Sequence, residues 1–235
     1  MKKYVILGII LICSVFVFAW RLTSGQDAKS IQGKETLDAF DSVFIDVIGA
    51  DVLFVKGNEY AIDYHLSSRE MIDIVKVSDG ELYFETAVSR KWKKDFDDWK
   101  IIVTVPEETT FENVKISSTA GKIIMDDFFI EEGEFETTAG KIELSHIQGD
   151  SLTVKSVSHP IKLEDCAIKE EIVCETTAGH IYVNGQFGSI HAKSIGGIIY
   201  NDIKQGRLFE TRGKEPRVEL KSVSGKIEIH NKEIE

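Results

Sequence analysis

The sequence predicts an all-β chain: a β-solenoid, parallel β-helix-like, with coils of about 19 residues, preceded by an N-terminal transmembrane or signal helix. Three observations predict it. A short phrase, clearest as Thr137-Thr138-Ala139-Gly140-Lys141-Ile142, recurs through the second half. Its turn residues Gly121, Gly140, His159, Gly179, Gly197 and Gly225 lie 19, 19, 20, 18 and 28 residues apart. An uncharged run, Tyr4 to Trp20, precedes everything else.

Residues 1–21 carry Lys2 and Lys3 before that run and Arg21 after it. As a helix, the seventeen uncharged residues span about 26 Å, slightly short of a bilayer's hydrocarbon core. The two lysines keep the N-terminus cytoplasmic and send the rest across. A retained signal anchor, a cleaved signal peptide with Val17-Phe18-Ala19 as the cleavage box, and a buried core helix are the open readings, the first two leading. A lipoprotein site is disfavoured, because Ile12 precedes Cys13 where a small residue is needed. The expected location is the cell membrane, single-pass, with the domain extracytoplasmic, or secreted if the signal is cleaved. Residues 22–36 are polar and read as a tether.

Residues 37–110 read as an N-terminal β-strand region, the first coils. Val43–Val47 and Val52–Val55 flank Gly49-Ala50-Asp51, a poor first copy of the repeated phrase. Ile72–Val77 and Glu81–Phe84 flank Ser78-Asp79-Gly80, a hairpin signal. Lys100–Val105 alternates and stops at Pro106, which cannot continue a ladder. Between them, Lys91, Trp92 and Lys93 sit in a mixed-charge stretch. It reads as a hairpin loop whose aromatics fold back on the sheet, or as a contact patch for a membrane surface or anionic wall polymer.

Residues 111–235 carry the regular repeat. Two positions after each turn stands isoleucine: Ile123, Ile142, Ile161, Ile181, Ile199 and Ile227. Apolar residues recur at alternate positions around it, so one strand face is buried. Three positions before the turn stands a hydroxyl: Ser118, Thr137, Ser156, Thr176, Ser194 and Ser222. These hydroxyls are expected to bond up and down the stack. The corner glycine is expected to supply positive φ. Cys166 and Cys174 fall in otherwise apolar columns, as buried thiols or a disulfide. The long last spacing predicts a loop around Gly206–Pro216 that protrudes from the last coil. The charged Asn231-Lys232-Glu233-Ile234-Glu235 end is expected to protect an open edge from edge-to-edge pairing.

Val103-Thr104-Val105-Pro106, then Val114 to Ile123, then the repeated S/T-x-A/S-G-x-I units resemble the bacterial putative-adhesin β-strand-repeat family. That is an envelope-associated family with a domain of unknown function. The resemblance covers roughly residues 40–230. It implies a β-solenoid, a preceding membrane segment and no established catalytic residues. His159-Pro160 in place of Gly-Lys departs from the pattern, as does the stretched last coil. Some relatives look associated with envelope-stress operons.

Net charge is −11, which argues against nucleic acid as partner. No phosphate loop is present, because Gly121-Lys122, Gly140-Lys141 and Gly225-Lys226 lack the upstream glycine and following hydroxyl. No cofactor, metal or catalytic site is expected. His159 and His180 fall near one corner, without an evident third ligand. Asp126-Asp127 and Glu164-Asp165 read as acidic pairs on successive coils, the feature a carbohydrate-cleaving β-helix would use. The candidate contact residues are Lys122, Lys141 and Lys226 after the turns, with Lys91, Trp92 and Lys93. Gly121, Gly140, Gly179, Gly197, Gly225 and the six isoleucines are structural. The reading is a non-enzymatic, membrane-anchored extracytoplasmic β-solenoid, an adhesin or envelope-binding module, with a cell-wall polymer or envelope protein as its candidate partner. The alternatives are an accessory of a cell-envelope stress response and a polysaccharide-acting enzyme.

Overall fold

The computed structural model describes residues 31–66, 70–88, 99–201 and 205–231. All regular structure among them is β. The strands are β1 (Ile31–Thr36), β2 (Ser42–Val47), β3 (Asp51–Gly57), β4 (Ala61–Leu66), β5 (Glu70–Ser78), β6 (Glu81–Val88) and β7 (Lys100–Pro106). The repeats follow as β8 (Thr110–Ser118), β9 (Ile123–Asp126), β10 (Phe129–Thr137), β11 (Ile142–Ser145), β12 (Gln148–Ser156), β13 (Ile161–Thr176) and β14 (Ile181–Gly185). The chain ends with β15 (Ser189–Ser194), β16 (Ile199–Asn201), β17 (Gln205–Gly206), β18 (Leu208–Glu210), β19 (Arg217–Ser222) and β20 (Ile227–Asn231).

Two sheets face each other, and each repeat gives one strand to each. One sheet runs β1-β4-β7-β3-β9-β11-β13-β14-β20-β16-β17. The other runs β5-β6-β2-β8-β10-β12-β13-β19-β15-β18. The interior neighbours are parallel. The outermost β1, β4, β5, β17 and β18 are antiparallel additions. Between them lie eight levels, from β6/β7 and β2/β3 at one end to β19/β20 and β15/β16 at the other. At about 4.8 Å per level the stack is roughly 34 Å long.

Register follows the sequence columns. Ile123, Ile142, Ile161, Ile181, Ile227 and Ile199 pair in that order, extended by Val52 and Ile101. All eight are at most 1% exposed. Behind them Val103, Phe54, Met125, Leu144, Leu163, Val183 and Ile229 form a second buried column. A one-residue slip in any strand would turn its buried set outward, so the core fixes the register. The Gly49-Ala50-Asp51 phrase is a true copy: Val52 pairs with Ile123, and Ser42–Val47 with Asn113–Ser118.

Several expectations change. The tether ends early, since Ile31–Thr36 forms β1 against β4. The last copy in sequence is not the last in space. Strands β19 and β20 pair between β13/β14 and β15/β16. The chain therefore skips a level after β14 and returns to fill it. The Gly206–Pro216 stretch includes β18, which pairs antiparallel with β15. The end of β20 is thus not a protected open edge. The two- and three-residue strands β17 and β18 form that edge instead, and short strands offer little ladder to a partner. The 78–80 turn is as predicted: Ser78 pairs with Glu81, and Asp79 and Gly80 have φ of 55° and 80°. The N-terminal helix, Lys91, Trp92 and Lys93 lie outside the described residues.

Candidate functional site

The corner edge is built by three residue types. Gly140 N–H donates to Thr137 Oγ1 at 2.8 Å, and Gly121 N–H to Ser118 Oγ at 2.8 Å. The same bond closes the corners at Gly179, Gly225 and Gly197. The hydroxyl ladder therefore caps its own corner three residues ahead, rather than bonding mainly along the stack. Glycine is needed for closeness, not for positive φ. A Cβ on Gly140 would lie 1.8 Å from the carbonyl oxygen of Gly121, and one on Gly121 would lie 1.8 Å from that of Ala50.

Outside the corner runs the row that holds the candidate lysines. Backbone bonds order it as Asp51, Lys122, Lys141, Pro160, His180, Lys226 and Ile198. Lys122 and Lys141 are neighbours, whereas Lys226 sits three levels further on. Each lysine has an acidic partner: Lys122 with Asp51 at 3.3 Å, Lys141 with Glu143, and Lys226 with Glu228. Lys226 also lies over the Tyr200 ring at 4.5 Å. The row is thus locally neutral rather than a cationic strip. His180 accepts the Lys226 N–H through Nδ1 at 2.9 Å, and His159 Nδ1 lies 3.1 Å from Ser158 Oγ. Those contacts engage the two histidines separately. No cluster of three metal-ligating side chains occurs among the described residues.

At the opposite edge, Asp127, His146 and Asp165 hold φ of 61°, 53° and 52° on three consecutive levels. The left-handed conformation turns the chain from one sheet into the other, and Asp tolerates it well. The acidic pairs Asp126-Asp127 and Glu164-Asp165 are two levels apart, with Ser145-His146 between them. They are not on successive coils. His146 Nδ1 meets Asp126 Oδ1 at 2.8 Å, and this bond raises the imidazole's pKa. Lys56 donates to Asp127 at 2.5 Å and holds that carboxyl below its usual range. A general acid needs the opposite shift, so Asp127 does not suit that role.

Beside this edge, where the chain steps over a level after β14, lies a cleft of about 400 Å³ lined by Cys166, Ile168, Lys169, Phe187 and Pro216. Gly188 N–H and Ser189 N–H both donate to the Pro216 carbonyl at 3.1 Å and close its floor. Cys166 and Cys174 are free and buried. Burial pushes the Cys166 thiol up to about 11 and raises Cys174 as well. Neither is a nucleophile at neutral pH, since the thiolate is the reactive form. The cleft has no counterpart in any sequence motif. The one signal for it is the 28-residue spacing before Gly225, which marks the detour that creates it.

The outer face of the second sheet is an ion-pair ladder. Lys115 meets Glu134 at 2.7 Å, Lys155 meets Glu136 at 2.8 Å, and Lys221 meets Glu175 at 2.9 Å and Glu219 at 2.7 Å. The Toastrack DUF4097 family model matches residues 40–235, the whole two-sheet body except β1. The chain belongs to this family. A search of curated proteins finds no match. Among solved structures, a putative cell adhesion protein from Clostridium sporogenes ATCC 15579 is similar at 13% identity, with 87% of this chain and 100% of that chain covered and a TM-score of 0.50. A putative adhesin from Bacteroides fragilis NCTC 9343 shows 14% identity, 87% and 97% coverage and a TM-score of 0.48. A putative lipid binding protein from Parabacteroides distasonis ATCC 8503 shows 14% identity, 88% and 99% coverage and a TM-score of 0.43. For the Toastrack chain, the likeness to the clostridial structure is one of fold.

Proposed function

We propose that this Toastrack chain is a non-enzymatic, membrane-anchored β-solenoid that projects from the cell surface as an adhesive or envelope-binding module. One observation carries the reading. The chain leaves its uncharged N-terminal run and enters the body at β1, an outermost strand of the stack. An anchor placed there would hold the body by one end. The eight parallel levels then act as a spacer that carries the far end away from the attachment point. The clostridial structure that shares the fold is described as a putative cell adhesion protein, which supports an adhesive role. The bonded corners and matched outer ion pairs suit a rigid spacer.

Fractionation and protease shaving of intact cells test the reading. The full chain is expected in the membrane fraction, with its body digested by added protease. Recovery from the cytosol, protected from protease, would overturn it.

A further inference from the structure

Most large apolar side chains exposed in the described structure gather at one place. Ile195 is 56% exposed, Ile198 46%, Leu208 58% and Val223 38%. They share the corner edge of the last two levels, at the end opposite β1. Val223 and Ile195 occupy the same corner position on neighbouring levels, as Val223 N–H donates to Thr176 and Ile195 N–H to Ser222. Earlier levels fill that position with Ile48, which is half-buried, then Thr119, Thr138, Val157 and Thr177, so two exposed aliphatics on neighbouring levels occur only at the distal end among the described residues. Ile198 lies in the same turn as Ile195. Leu208 pairs with Lys193 on the capping strand β18. Folding does not explain these four aliphatics, since each faces water.

Charge is also distinctive there. Lys193 and Arg207 are exposed and flank the apolar cluster. The Arg207 carbonyl accepts the Ser194 N–H, which holds it against the corner. Among the described residues neither cation has an acidic partner, whereas lysines in the middle of the stack are paired.

We propose that this distal corner is a membrane-contact tip that docks on a lipid surface bearing anionic headgroups. The shape favours lipid over a protein or polymer. Aliphatic side chains on a projecting corner cannot cup a partner's side chain, but they can enter the soft boundary between headgroups and acyl chains. The flanking cations then meet the phosphates. A charged polymer would use the cations and leave the four aliphatics without a role. The proposal relies on the functional reading above for the anchor alone. It adds the chemistry of the surface that the far end meets.

The test uses the full chain, reconstituted in phosphatidylcholine vesicles. Flotation first reports whether the chain stays with those vesicles, which judges the anchor separately. Dye-labelled acceptor vesicles are then added, of phosphatidylcholine alone or with phosphatidylglycerol. Capture is expected only with phosphatidylglycerol. It is expected to fall about fivefold for each charge removed by Lys193→Gln and Arg207→Gln, and to be lost with Ile195→Ser and Leu208→Ser together. Leu208→Trp reads the tip directly, anchored or not. A blue shift above the unsubstituted chain is expected with phosphatidylglycerol vesicles. Equal capture by both acceptors, or no added shift in the emission of the Leu208→Trp variant, overturns the proposal. So does loss of capture by the charge variants while the serine variants bind normally, because that describes a plain anion site.

Discussion

At Gly140 the backbone of one level touches the next. An added Cβ would lie 1.8 Å from the Gly121 carbonyl oxygen and 2.9 Å from Thr137 Oγ1. Both neighbours are held in place, the first by being backbone and the second by its bond to Gly140 N–H. Gly140→Ala is therefore expected to cost about 3 kcal/mol, measured as a shift in the urea midpoint. His159, at the matching corner position, is exposed, so His159→Gly should change the midpoint little. Thr137 is 5% exposed. Thr137→Val keeps its shape but leaves the Gly140 N–H without its acceptor, and should cost about 1–3 kcal/mol. Cys166 and Cys174 make a separate test. With the Cys166 thiol pushed to about 11 by burial, alkylation of either should be slow in the native protein and fast in denaturant. Rapid native labelling of Cys174 would contradict its placement between Val154 and Leu220.

Among the elements, the β19–β20 pair has the most consequential position. It forms the level between β13/β14 and β15/β16 and hydrogen-bonds to both sides. Its removal would uncover long parallel edges and separate the last level from the body. Truncation after Gly206 should therefore loosen more than the deleted residues. Hydrogen exchange at Ser189–Ser194 is expected to rise to the rate of the unfolded chain, and at Ile181–Gly185, which still pairs with β13, to rise by less. Protection of β15 at wild-type levels would contradict the level order. In the intact chain, exchange should be fastest at β17 and β18, which pair on one side only, and slowest at β10 to β13.

For the molecule as a whole, the outer ion-pair ladder contributes to the response to pH. Hydrogen bonding from Lys115 holds the Glu134 carboxyl below its usual range, and Lys221 does the same for Glu219. A folded-state pKa below the unfolded value adds stability that is complete above the unfolded pKa and is lost as pH falls through the folded one. Stability from these pairs should thus hold down to about pH 5 and decline below about pH 4. Lys115→Gln should make that decline shallower. A melting temperature with the same acid limb in both proteins would rule out the pair as a contributor. The exposed pairs are individually weak, at about 0.2–1 kcal/mol each, so added salt should lower the melting temperature only modestly.

Periodicity alone made much of the body legible. The invariant isoleucine two positions past each turn, the hydroxyl three before it and the small residue at the bend each describe one level, and each level is closed by contacts local in sequence. Such constraints appear as columns because every copy meets the same neighbours. The Ser78-Asp79-Gly80 hairpin and the strand stop at Pro106 were legible for the same local reason. The order of the levels was not. All copies present nearly the same edge, so nothing in Ser222–Ile227 tells it to pair with Thr176–Ile181 on one side and Ser194–Ile199 on the other. Tertiary structure decided that, and with it the cleft at Cys166 and the capping strand that brings Leu208 beside Lys193. It also set Asp51 beside Lys122 from a neighbouring level, whereas Glu143 and Glu228, two residues after Lys141 and Lys226, share their strand face by alternation alone. The sequence determined what each level is made of; the packing of one level on another determined which surfaces remain for a partner.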